Sequence, residues 1–247
     1  MVRFLKKIWS VFSFLFILII VLGCDYKSKR DISNDDFEIH ITDEENKKVA
    51  IGNIKYQPVD GSVFIPYSID GYTVSVLGIP SMSFKADLDN YYVDRIYLPS
   101  TIEKIGHPYI SEYGYMEKVF ICNEPINITK LSVLYSHNMG YAPVIVYVPS
   151  EYYREYAAIH EPYFIDIYKA NVCYYFNIDE NDYYYVDYYE EGSLIEFIPP
   201  IPIREGYIFE GWYTETECIN KWDFEIDLVE LAENIDEIKL FAKWINE

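Results

Sequence analysis

The sequence predicts a mainly β protein with minor α, in which a short array of stacked repeats precedes a smaller second unit. Three observations carry this. The apolar fraction is rich in strand formers, with 27 Tyr and 14 Phe among 247 residues, side chains that suit a pleated, half-buried surface. Short apolar runs, three of them stopped by proline, recur through residues 47–170 at offsets of 33, 23 and 27 residues. After residue 170 that period is lost, and alternating apolar runs separated by turn residues take over.

Composition removes whole classes of function. Forty Asp and Glu stand against 20 Lys and Arg, a formal charge of -20. Nucleic acid is thereby excluded as a partner, because phosphate binding needs a basic footprint. A 51% hydrophobic and 18% aromatic chain is not disordered. With only 11 Gly and 12 Pro it is not collagen-like or of low complexity either.

The N-terminus sets the address. Arg3, Lys6 and Lys7 precede an apolar stretch from Ile8 to Leu22. At about 15 residues this stretch is short for a membrane-spanning helix, which needs roughly 20, and has the length of a secretory signal core. An uncleaved anchor is the alternative. Val21-Leu22-Gly23-Cys24 resembles the bacterial lipobox. That resemblance implies a signal peptide over 1–23, cleavage before Cys24 and lipid attachment to Cys24. Membrane association is then through lipid, on the extracellular face. Cleavage would remove three basic and no acidic residues, leaving 17 against 40. Residues 24–46 are polar and read as a lipid-anchored tether.

Within 47–170, Val63-Phe64-Ile65-Pro66, Ile96-Tyr97-Leu98-Pro99 and Val146-Tyr147-Val148-Pro149 superpose, and Val119-Phe120-Ile121 fits the same frame without its proline. Val76-Leu77-Gly78 and Lys104-Ile105-Gly106 form a second recurring element. The offsets lie close to the 20–29 residues of leucine-rich repeats, whose units bury their apolar faces only by stacking. These segments resemble the BspA-type leucine-rich repeats of bacterial surface proteins. Ile69-Asp70-Gly71-Tyr72-Thr73-Val74 looks like an entry repeat. The run from Arg95 to Gly106 is similar to the core repeat, and Val146 to Tyr153 with Tyr156-Ala157-Ala158 resembles a closing one. His107-Pro108-Tyr109 stands where the family has Ala-Phe, and the third unit lacks Ile-Gly.

In residues 171–247, two alternating runs flank Asp179-Glu180-Asn181-Asp182 and read as a hairpin. Then come Pro202-Ile203-Arg204-Glu205-Gly206-Tyr207-Ile208-Phe209-Glu210-Gly211-Trp212-Tyr213, Trp222-Asp223-Phe224 and Leu240-Phe241-Ala242-Lys243-Trp244. This order of blocks is similar to the Listeria–Bacteroides repeat, the B-repeat of internalins, and implies a small β-grasp-like domain. Gly206 and Gly211 would allow tight turns, while Trp212, Trp222, Phe224 and Trp244 would supply buried area. Leu228, Leu231 and Ile235 stand at helical spacing and predict a short amphipathic helix within 225–239.

The catalytic signals are negative. His40, His107, His137 and His160 lack metal-ligand spacing, and no nucleophile elbow or phosphate-binding glycine pattern occurs. The chain is therefore read as no enzyme, with no cofactor and no metal. Asp179-Glu180-Asn181-Asp182 could attract calcium but lacks the EF-hand register, and a solvated turn is the plainer reading. Cys122, Cys173 and Cys218 are an odd number without CxxC spacing and read as buried free thiols.

One constellation suggests binding. The repeat frame puts Phe64, Tyr97, Phe120 and Tyr147 at one equivalent strand position, with Arg95 and Lys118 in a neighbouring column. Stacked strands would align them as a ladder on an outward face. Such a ladder could contact a ligand, could be mutual support between strand formers, or could be hidden by the C-terminal module. On an open face, Tyr97→Ala with Tyr147→Ala would weaken binding and leave melting unchanged. The leading expectation is a non-catalytic surface lipoprotein for adhesion or for protein or glycan contact on host or neighbouring cells. The alternative is a carbohydrate- or solute-capturing lipoprotein serving a transporter or envelope complex.

Overall fold

Recurrence in the sequence becomes adjacency in space. The computed structural model describes residues 34–56, 58, 60–78, 84–86, 93–106, 108–110, 117–128, 143–159, 165–179, 182–233 and 235–247. Strands β1 (Phe37–Asp43) and β2 (Lys48–Ile54) form an antiparallel hairpin. Its turn is closed by the Asp43 carboxylate, which accepts from the Asn46 N–H at 2.9 Å. The tether read for 24–46 therefore ends early. Phe37, Ile39 and Ile41 alternate as a strand should, Phe37 is buried, and β1 pairs along its length with β2.

After β3 (Ser62–Phe64), strands β4 (Ser68–Ile69) and β5 (Tyr72–Leu77) meet in a tight hairpin. Asp70 and Gly71 sit there at φ of 51° and 79°, the pair of positive values that an Asp-Gly type I′ turn requires. Strand β5 runs parallel to β2 and to β8 (Lys104–Ile105). Ile51 pairs with Leu77 and Leu77 with Ile105, while Gly78 N–H donates to Ile51 O at 2.8 Å and Gly106 N–H to Leu77 O at 2.7 Å. The apolar-Gly elements thus stack as one column, and Ile51-Gly52 is a third member. Strands β6 (Phe84–Ala86) and β9 (Pro108–Ile110) extend the same sheet in parallel from β2.

The second sheet is wholly parallel. It runs in the order β12 (Ile165–Lys169), β11 (Val144–Val148), β10 (Lys118–Ile121), β7 (Arg95–Leu98), β3. Each strand is thus beside the next one of this sheet in the chain. Val63, Ile96, Val119 and Val146 point to the face opposite the aromatic residues by strand alternation, and they too are buried. Both faces are covered, as parallel sheets require. The helix α1 (Tyr153–Ile159) follows β11, and its buried Tyr156 donates from Oη to Glu124 O at 3.1 Å.

The third sheet is mixed, in the order β14 (Tyr183–Asp187), β13 (Val172–Tyr175), β16 (Ile238–Asn246), β15 (Tyr207–Tyr213). Strand β13 is parallel to β16, and the two outer pairings are antiparallel. The helix expected within 225–239 is not formed among the described residues. Leu228 bridges to Leu194, and buried Val229 exchanges backbone hydrogen bonds of 2.8 Å with Gly192 and Ser193. Those pairings use the amide groups that a helix would need. Leu228 and Ile235 are left exposed.

Gly206 turns the chain into β15 at φ 75°, and Gly211 sits at φ 149° where the β15–β16 register shifts. A Cβ on Gly211 would meet Lys221 Cε at 2.6 Å. Gly211→Ala is expected to lower stability by about 1–3 kcal/mol through backbone strain at that φ. Thermal melting checks it, and an unchanged midpoint would contradict the strain.

Candidate functional site

Parallel pairing without a register shift brings the four aromatic positions together. Phe64 pairs with Tyr97, Tyr97 with Phe120, and Phe120 with Tyr147. Their rings stack at 4.1, 4.4 and 5.1 Å between centroids, tilted by no more than 10°. These separations bracket the strand spacing of about 4.8 Å, so the sheet itself sets the stack.

The expected open face is closed at three of these residues, and Phe64 is half-buried. Tyr97 and Phe120 are each 1% exposed and Tyr147 7%, because β14 lies over them. Tyr185 meets the Phe64 ring edge-on at 5.3 Å and donates from Oη to Ile65 O at 2.5 Å. Cys122 Sγ lies 3.5 Å from Tyr184 O. Tyr97, Phe120 and Tyr147 belong to one apolar core with Tyr174, Tyr185, Trp212 and Leu240. Ligand contact at the middle of the ladder is thereby corrected: these rings hold the third sheet to the second.

A carboxylate is sealed into that contact. Asp187 is 1% exposed. Tyr97 Oη donates to its Oδ2 at 3.1 Å, and the Tyr188 N–H donates to Oδ1 at 2.7 Å. Burial pushes its pKa up to about 7, opposed by the hydrogen bonds from Tyr188, Tyr189 and Tyr97 and by the Arg95 charge. Burial and the Asp187 charge together raise Tyr97 well above the usual phenol range. Asn171 braces the same corner: its Nδ2 donates to Tyr189 O at 2.8 Å, and its Oδ1 accepts from Tyr189 N at 3.0 Å. Arg95 lies over the Phe197 ring at 4.3 Å, and Lys118 is half-buried beside it in register.

The ladder does reach solvent at one end. Tyr188, just beyond β14, stacks on Tyr147 at 4.9 Å and 18°. Tyr168, on the edge strand β12, pairs with Tyr147, and their rings are 5.9 Å apart. Tyr168 is 49% exposed and Tyr188 41%. Sequence reasoning missed both. Tyr168 repeats the frame at an offset of 21 residues from Tyr147, but Ala170 stands where the proline is expected. Tyr188 is joined by tertiary packing alone.

Other sequence candidates separate. Cys24, His107, His137 and His160 lie outside the described residues. Cys122 and Cys173 are free and buried, and Cys218 is free and half-buried. The Asp182 carboxylate accepts backbone N–H groups of Asn177, Ile178 and Asp179 at 3.1, 2.7 and 2.9 Å, so it closes the hairpin. No group of three or more metal-ligating side chains is present among the described residues. Trp212 and Trp222 are buried, whereas Trp244 is half-buried and donates from Nε1 to Phe176 O at 2.5 Å.

Residues 175–243 match the family described as the Listeria-Bacteroides repeat domain. That segment is a Listeria-Bacteroides repeat domain. The match runs from the end of β13 into β16, so it takes in Tyr185, Asp187 and Tyr188, the residues that cover and extend the ladder. Two proteins of Evansella cellulosilytica are 44% and 42% identical to this chain over 55 residues, 22% of its length. They are named "Putative membrane protein" and "Putative Gly-rich membrane protein". The matched stretches span 7% and 6% of those proteins. Among the described residues of this chain no helix is long and apolar enough to cross a membrane.

Proposed function

We propose that this chain is a non-catalytic surface lipoprotein, anchored through Cys24, that binds a glycan or protein outside the cell. The observation that carries the reading is the continuation of a four-ring stack into a fifth ring, exposed Tyr188, with exposed Tyr168 beside it. A stiff aromatic platform with phenol tips gives a large contact at little cost in side-chain ordering. The apolar C–H face of a sugar ring fits it, and a processed chain with 17 basic against 40 acidic residues favours a neutral sugar over an acidic one. The consecutive parallel strands and the stacked apolar-Gly column support reading residues 47–170 as a short BspA-type leucine-rich repeat array. The mixed four-stranded sheet supports a β-grasp-like reading of 171–247, without a crossing helix among its described residues.

The test is a glycan and extracellular-matrix array probed with the chain from residue 25, beside its Tyr168→Ala/Tyr188→Ala variant. Binding is expected to fall about five- to 150-fold in the variant, since two lost ring contacts are worth roughly 1–3 kcal/mol together. The melting temperature should barely move. Equal binding by both proteins would remove the ladder end as the contact site. A ligand taken up at one-to-one stoichiometry as a small solute would favour the capture reading instead.

A further inference from the structure

A second surface, independent of the ladder end, lies on the outer side of β15. Arg204 bridges antiparallel to Tyr207, which sets Ile203 opposite Ile208, and Ile208 pairs directly with Ile245. Directly opposed residues share a sheet face, so three isoleucines form one row. Ile203 is 88% exposed, Ile208 49% and Ile245 43%. Ile201, at 67%, is turned the same way, because Pro202 between it and Ile203 is buried. Single exposed apolar residues need no explanation, but four adjoining isoleucines do.

The charge around them is one-sided. Between 171 and 247 there are 19 acidic and four basic residues, and each of the four cations is already engaged within the module. Arg204 lies over the Tyr207 ring at 3.8 Å. Lys221 Nζ donates to Glu210 O at 3.1 Å. Lys239 pairs with Glu237 at 3.2 Å and Lys243 with Glu210 at 2.8 Å. Glu205 and Glu247, beside the row, are exposed. A second copy of this chain would bring the same acidic rim against itself. Strand addition at the β15 edge is opposed where Lys221 fills it, at Glu210.

We infer that the Ile201–Ile203–Ile208–Ile245 face docks a basic amphipathic segment of another protein, apolar side chains on the isoleucines and Lys or Arg on the surrounding carboxylates. Both contributions are needed: the apolar row supplies the contact energy, and the acidic field supplies attraction and orientation.

The probe is a synthetic peptide of alternating Lys and Leu, with Lys–Ser and Glu–Leu peptides of equal length as controls. Each is titrated by fluorescence anisotropy into the full chain in detergent and into its Ile203→Ser/Ile208→Ser variant. Only the Lys–Leu peptide should bind well. The variant should bind it at least about tenfold more weakly, given the transfer energy of even one isoleucine. Its melting temperature should match the wild type, because both side chains are exposed. Equal binding of the Lys–Ser peptide, or an unchanged affinity in the variant, would reduce the effect to general attraction of cations and overturn the inference. Concentration-dependent dimers by sedimentation, lost in the variant, would assign the face to a second copy and overturn it as well.

Discussion

Replacing Tyr97 by Ala is expected to destabilise the fold by about 3–5 kcal/mol, the range for deleting a fully buried aromatic side chain. The ring sits between Phe64 and Phe120 at 4.1 and 4.4 Å, stacked on both faces. Its hydroxyl also donates to Asp187. Tyr97→Phe separates the two contributions. It keeps the stack and removes one donor from a buried carboxylate, at about 1–3 kcal/mol. Urea titration of both variants gives the ordering: wild type, then Tyr97→Phe, then Tyr97→Ala. A Tyr97→Ala protein as stable as wild type would mean that β14 is not seated on the ladder. Phe120→Ala should resemble Tyr97→Ala, since Phe120 is equally buried and stacked on both sides.

Much of this geometry was legible in the sequence, and the part that was not has a common cause. A recurring strand frame, stopped by Pro in three of four instances, puts Phe64, Tyr97, Phe120 and Tyr147 in one column, because parallel strands in register preserve position. The Gly206-to-Trp212 block and the tryptophans at 222 and 244 mark the Listeria-Bacteroides repeat domain in the same local way. Which side of the ladder faces water is a different kind of fact. It depends on β14, some 40 to 120 residues away along the chain, and no local pattern in Tyr183-Tyr184-Tyr185-Val186-Asp187 states what those rings will cover. Asp187 is one of 40 acidic residues and carries no mark of burial in its neighbours. Strand β1 was concealed because Phe37, Ile39 and Ile41 alternate inside an otherwise polar stretch. The helix expected near Leu228 gave way to pairing with 192–194, a tertiary outcome that spacing does not contain.

That same buried carboxylate contributes its own pH dependence to the stability of the fold. Asp187 in the folded chain holds its proton to about pH 7, whereas an unperturbed aspartate releases it near 3.8. Between those values the folded state binds the extra proton, so raising the pH favours unfolding. The associated stability is fully present below about pH 4 and lost as the pH passes about 7. At about 1.4 kcal/mol per unit over three units, the change is about 4 kcal/mol. Asp187→Asn is neutral at every pH and can still accept from Tyr97 or Tyr188, so this contribution disappears. The other carboxylates titrate in both proteins, so the difference between the two melting curves isolates Asp187. The variant is expected to match wild type near pH 4 and to exceed it increasingly up to about pH 7, with a constant gap above that. Arg95→Gln should raise the upper limit of the window, because the Arg95 charge holds the Asp187 carboxyl down. Parallel curves for wild type and Asp187→Asn across the window would refute the assignment. The apolar packing around the carboxylate would then carry the junction without any contribution from its charge state.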